Sequence, residues 1–302
     1  MTLYSKPALS LADQIAHLTS KGLLVPDPAR ARSVLFRVGL YRFKGFLLPY
    51  KTPTGYQPGT SFADVERLID LDDLLGLHIF KAIQTAEVGL RQGINQHMLE
   101  TYGIRWYADP LLFKPDDRYF QHAGFLAKAI RDFHKMPELF VGHYRTTYEP
   151  RAYPPGWMIA ETMSLGSWSK LFNALDAQAD KDAIAVPFGV RASTLETWMH
   201  ALSILRNTCT HQSRTYDRTF KPFRVADTPA TTAALRGHSF DGRDTQALRL
   251  APRLYALHVL TQALIPGCLW TGELKVLVGR YTPAELARLG LRPGWETQAE
   301  WA

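Results

Sequence analysis

The chain of 302 residues has only two cysteines, Cys209 and Cys268. That scarcity argues against a disulfide-stapled scaffold and against a zinc site, which needs clustered ligands. Long hydrophobic runs are missing as well. The most apolar stretch, LYALHVLTQALI, is interrupted by His, Thr and Gln and falls short of the roughly 18 residues that a membrane helix requires. The opening MTLYSKPALSLADQ lacks a basic-then-apolar leader pattern, so the expectation is a soluble, cytoplasmic protein with no membrane partner. Strand-like alternation, internal repeats and low-complexity tracts are absent too, and the class expected is all-α.

What is present is apolar bulk and a moderate basic excess. Hydrophobic residues make up 46% of the chain, enough for a substantial core. Lys and Arg number 35 against 28 Asp and Glu, a net charge of +7. Such a balance suits a polyanionic partner without requiring one.

The apolar spacing is helical almost throughout. Ser10 is an expected N-cap for LADQIAHLTSKGLL, which closes at Gly22. Asp27 before Pro28 opens a second helix whose far end, VGLYRFKGFLLPY, stops near Pro49, so that residues 8–50 form a helical hairpin. After the turn-rich KTPTGYQPGTS, a long helix is expected from Asp64 to about Met98. Further helices are expected near 117–136 and 157–176, then one leading into Arg206, one over 245–265, and short ones near 272–290. The segment PFRVADTPATTAALRGHSFDGRDTQ reads as a loop or an excursion bearing a short helix.

One stretch, LSILRNTCTHQSRTYDR at 202–218, concentrates groups suited to chemistry. Arg and His recur five or six residues apart at three places: Arg91/His97, Arg206/His211 and Arg253/His258. Spacing alone therefore selects none of them. Context does. Asn207 and His211, four apart, share a helical face. From 206 to 224 the cations Arg206, Arg214, Arg218, Lys221 and Arg224 face only Asp217, with Tyr216 among them. Interleaved arginine and aromatic side chains suit RNA, since cations meet phosphates and a ring stacks on an unpaired base. Arg214, Tyr216, Arg218 and Lys221 are thus the expected RNA-facing set. Arg253 and His258 lie in an apolar helix and read as structural. Cys209 has no base one turn away and is not expected to act as a nucleophile.

The Arg-Asn-x-x-x-His stretch resembles the Arg-x4-6-His motif of HEPN domains, which are all-α and often ribonucleases. The wider sequence is similar to the Abi-like family of bacterial abortive-infection (phage-defence) proteins. The resemblance runs through KPALSLADQIAHLTSKGLLV, VGLYRFKGFLLPY, LIDLDDLLGLHIFKAIQTAEVGLRQGI, YGIRWY, PPGWMIAETMSLGSWSKLFNAL and RNTCTHQSRTYDR, in that order. Two positions depart from the family's habit: Gly76 stands where Arg is common, and Tyr216 where Trp is. Neither touches Arg206 or His211.

The resemblance implies a single HEPN-like helical bundle, with a core over about 62–220 flanked by N- and C-terminal helices. It implies an endoribonuclease that needs no metal or other cofactor and cuts by 2′-hydroxyl attack, leaving a 2′,3′-cyclic phosphate. His211 is then the general acid/base, because an imidazole exchanges protons near neutral pH. Arg206 holds the phosphate through its planar charged fork. Asn207 orients His211 or meets the phosphate. One chain offers one convincing pair, so a homodimer with a composite cleft is expected; Arg91 and His97 as an internal second site is the lesser option. Glu161 is a candidate to support the site, or else a buried ion-pair acid. Two further readings stay open: a non-catalytic RNA-binding or scaffold module, and a toxin held inactive by a small partner RNA.

Overall fold

Side-chain caps start the first helices where the apolar repeats begin. In the computed structural model, which describes residues 3, 7–115, 118–149, 153–225 and 248–301, Ser10 accepts the Asp13 N–H and opens α1 (Leu11–Ser20). Asp27 accepts the Arg30 N–H ahead of Pro28 and opens α2 (Pro28–Val38). Ser61 does the same through the Asp64 N–H for α4 (Phe62–Tyr102). The second helix is not continuous to Pro49. Gly39, with φ of +80°, ends α2 in a backbone region that disfavours side chains, and α3 (Leu40–Leu47) leaves in a new direction.

The 41-residue α4 is the axis of the molecule, about 60 Å long at 1.5 Å per residue. It buries Leu68, Leu75, Ile79, Ile83, Leu90 and Ile94 on one stripe. Against it pack α3, α7 (Gly156–Ala160), α8 (Leu165–Ala174), α9 (Gln178–Ala185), α10 (Ala192–Thr210), α11 (Ala251–Leu264) and α12 (Trp270–Val278). Two peripheral helices, α5 (His122–Lys135) and α6 (Leu139–Thr147), precede α7, and α13 (Pro283–Leu289) follows α12. Among the described residues β pairing is limited to isolated bridges, so the all-α expectation holds.

The helix expected over 157–176 is two helices. The Thr162 hydroxyl turns back to the Ile159 carbonyl, and Ser164 caps the Ser167 N–H. The Glu87 carboxylate of α4 then accepts the Leu165 N–H at 2.8 Å, fixing the start of α8. The loop expected after Lys221 falls largely outside the described residues. The apolar α11 is core: Arg253 is 1% exposed between the Phe220 and Phe223 rings. His258 is buried, with Nδ1 2.6 Å from the Thr271 hydroxyl. This third Arg/His pair is structural. No described helix is long and apolar enough to cross a membrane.

Candidate active site at the end of helix α10

Buried Trp198, Leu202 and Leu205 hold α10 against α8 and α4, leaving its last turn at the surface. The helix ends at Thr210, and His211 is its cap residue, its N–H donating to the Asn207 carbonyl at 3.1 Å. Gln212 then turns through φ of +50°, and the Ser213 N–H closes back on the Thr208 carbonyl. Asn207 and His211 stay one turn apart, both exposed, and neither side chain has a hydrogen-bond partner among the described residues. Arg206 is half-buried. Its Nε is sealed from solvent, 3.9 Å from Glu87 Oε2, while about a third of the side chain (36%) remains accessible.

What fixes this turn is a carboxylate from another helix. Asp72, buried in α4, accepts the Tyr216 N–H at 2.8 Å, the Thr215 N–H at 3.1 Å and the Thr215 hydroxyl. Burial pushes the Asp72 carboxyl above its usual range, against the pull of these hydrogen bonds, which favour the ion. Arg42 of α3 adds a second tie, donating to the Gln212 carbonyl and to Asp73. Asp72 has a legible signal: it occupies an apolar register position between Leu68 and Leu75. Glu87 and Arg42 carry none that a single sequence reveals.

The other site expectations fare differently. Arg91 meets Glu161 at 3.1 Å, whereas His97 Nε2 meets Asp180 at 2.8 Å. Asp180 also accepts the Tyr102 hydroxyl at 2.7 Å. Six residues apart on a helix, Arg91 and His97 point about 120° from each other, and the structure sends them to separate acids. Glu161 is not a buried acid; its side chain is 42% exposed, and its cation is Arg91. The acid that reaches Arg206 is Glu87, one turn before Arg91 on α4.

Tyr216 is not a platform for bases. It is 0% exposed, stacked between Phe46 and Tyr281 with centroids 6.2 Å from each. The basic run keeps its excess of cations, because its one acid is shared with arginines from outside the run. Asp217 gathers Arg249 at 2.7 Å, Arg288 at 3.4 Å and Arg214 at 3.9 Å. Arg214 is further tied to the Tyr216 carbonyl at 2.8 Å and lies near the Phe46 ring. Arg218 is half-buried near the Phe220 ring. Lys221 is exposed, and so is Arg224, which donates to Ser193.

Beside the turn lies a cleft of about 470 Å³, walled by Asp73, Gly76, Leu77 and Phe80 of α4 and by Cys209 and Gln212. The Cys209 thiol is pushed up to about 12, chiefly by burial and then by the charge of Asp72, so it is inert at neutral pH. Among the described residues no group of three His, Cys, Asp or Glu is arranged to hold a metal ion. A family model described as Abi-like protein matches residues 33–217, which take in α3, α4, α10 and the turn as far as Asp217. No curated protein and no solved structure matches the chain.

Proposed function

The chain belongs to the Abi-like protein family, and from that premise we propose that it is a HEPN-type endoribonuclease of bacterial abortive infection, a phage defence in which RNA cleavage halts the infected cell. The observation that carries the proposal is the exposure of Asn207 and His211, with about a third of the half-buried Arg206, next to a turn that the buried Asp72 locks in place. An exposed imidazole and a partly exposed guanidinium within two turns of one helix end are the minimum equipment for moving a proton while a phosphate gains charge.

In this reading a ribose 2′-hydroxyl gives its proton to His211 and attacks the adjacent phosphorus. The new O–P bond forms as the P–O5′ bond breaks, leaving a 2′,3′-cyclic phosphate. The departing 5′-oxygen takes a proton from a second acid. Arg206, its Nε side held toward Glu87, faces the equatorial phosphate oxygens with its free edge. Asn207 steadies the imidazole or the phosphate. Lys221 and Arg218 guide the RNA strand, and no metal takes part.

Two proton transfers want two groups, and the second comes from a second copy of the chain. The outward stripe of α4 beside the cleft supports such an interface: Leu74 is 43% and Leu77 69% exposed. In an uninfected cell a small RNA on the same basic turn is the proposed restraint.

The test is to incubate the purified protein with total RNA and a chelator and to map the new ends. The expected result is discrete 2′,3′-cyclic phosphate ends, reduced about 100-fold or more in His211→Ala and Arg206→Ala while both variants stay folded. Full cleavage by both variants would sink the site assignment. Salt-sensitive RNA binding without any cyclic phosphate product would leave a binding module instead.

A further inference from the structure

The N-terminal hairpin has its own cavity, away from the α10 turn. The short α3 separates the two. Arg42 and Gly45 of α3 face Gln212 and Arg214, whereas Lys44 and Leu47 line a hollow of about 330 Å³ on the α1 side. That volume is at the small end of ligand pockets. Four basic side chains line it, His17, Lys21, Lys44 and Lys51, and among the described residues no acidic one does. Neither Lys21 nor Lys51 forms an ion pair among the described residues. The Lys44 ammonium lies 3.1 Å from His17 Nε2, which fits a neutral ring taking a hydrogen bond from the lysine.

The wall opposite α1 is built, not loose. The Thr52 N–H donates to the Gly55 carbonyl at 2.8 Å, and the Gly55 N–H returns to the Thr52 hydroxyl at 3.0 Å. The Tyr56 N–H donates to the Lys21 carbonyl at 2.9 Å, which clamps the loop to the end of α1. A Cβ on Gly55 would fall 2.2 Å from that same carbonyl, so only glycine permits this closure. Since the Thr52 hydroxyl accepts from Gly55, its own hydrogen is left to donate. Pro53 and Tyr56 supply apolar surface beside the cations.

Lys21 and Lys51, neither ion-paired among the described residues, face one hollow, and their mutual repulsion is relieved when an anion arrives. We propose that this cavity binds the phosphate end group of a nucleotide, with the lysines and Thr52 on the phosphate and Tyr56 and Pro53 against the sugar or base. The shared chemistry is a terminal phosphate, and its source is either a free nucleotide or the 5′-end of an RNA. The proposal stands apart from the cleavage reading, since none of these residues belongs to the α10 turn.

Binding is measured by calorimetry on the full chain with three probes: ATP, and a short 2′-O-methyl RNA carrying either a 5′-phosphate or a 5′-hydroxyl. The methylated sugar has no 2′-hydroxyl nucleophile, so the outcome does not depend on any cleavage. ATP binding identifies a nucleotide site; a gain of about tenfold or more from the 5′-phosphate identifies an RNA end. Either affinity should fall about tenfold or more in Lys21→Glu/Lys51→Glu and stay unchanged in Lys135→Glu, an exposed control on α5. Both substituted lysines are exposed, and an unchanged melting temperature confirms the fold. The proposal is overturned if ATP does not bind and the two RNAs bind alike, or if the double variant binds its phosphate probe as the wild type does.

Discussion

At the scale of single residues, Asp72 makes the site a site. The repeat Leu68, Asp72, Leu75, Ile79 puts a carboxylate where the core wants a hydrocarbon, and that position lies under Thr215 and Tyr216. Burying an ion is unfavourable, and two backbone N–H groups and a hydroxyl offset only part of the penalty, so the carboxyl is raised. The sign of the consequence follows. A carboxyl whose folded pKa exceeds its unfolded value binds more protons in the folded state, so its contribution to stability grows as pH falls through the raised pKa and shrinks as pH rises. Asn in its place does not titrate. The melting temperature of wild type relative to Asp72→Asn should therefore increase from neutral to mildly acid pH, read by calorimetry across a pH series. The opposite trend would mean that the hydrogen bonds outweigh burial. At neutral pH Asp72→Ala should destabilise by about 1–3 kcal/mol by orphaning the two N–H groups, and cleavage should fall with it as the His211 turn loosens.

At the scale of elements, the helices follow from local chemistry, and most of them were legible in the sequence. Ser10, Asp27 and Ser61 set their helix starts through caps, whose residues lie beside the turns they serve. The breaks at Gly39 and at Thr162–Ser164 were not legible. The first depends on where α3 must go to reach α4, and the second on Glu87, some 78 residues away from Leu165 in sequence. The same reason separates the site residues that were readable from those that were not. The one-turn register of Asn207 and His211 is local and survives. The burial of Tyr216 depends on Phe46 and Tyr281, which lie far from it in the chain, so sequence proximity misread it. Gly76 gives an element-scale test. It lies within α4, and a Cβ there meets no atom within 4 Å. Glycine weakens a helix interior by roughly 0.5–1 kcal/mol relative to alanine, so Gly76→Ala should stabilise the fold by that amount, raising the melting temperature by about 1–3 °C. A loss of stability instead would show that this turn of α4 departs from helical packing.

At the scale of the whole molecule, the long α4 serves two masters. Its inner stripe organises the bundle, while its outer stripe runs past the cleft with Asp73, Leu74 and Leu77 toward solvent. Isolated exposed leucines need no explanation. These stand beside the candidate turn, which offers one imidazole for the two proton transfers of the proposed reaction, so the proposed second copy covers them and brings the missing group. Leu77→Glu isolates this claim from the others. The residue is 69% exposed, so the change should alter monomer stability by no more than about 0.5 kcal/mol. A buried charge at a self-complementary interface is far costlier, because symmetry places it there in both copies. Light scattering after gel filtration should find the wild type dimeric and Leu77→Glu shifted to monomer. RNA cleavage should fall in parallel and recover as protein concentration rises, since mass action restores the pair. A monomeric variant that cleaves at the wild-type rate would remove the composite cleft and leave His211 to make both proton transfers within a single chain.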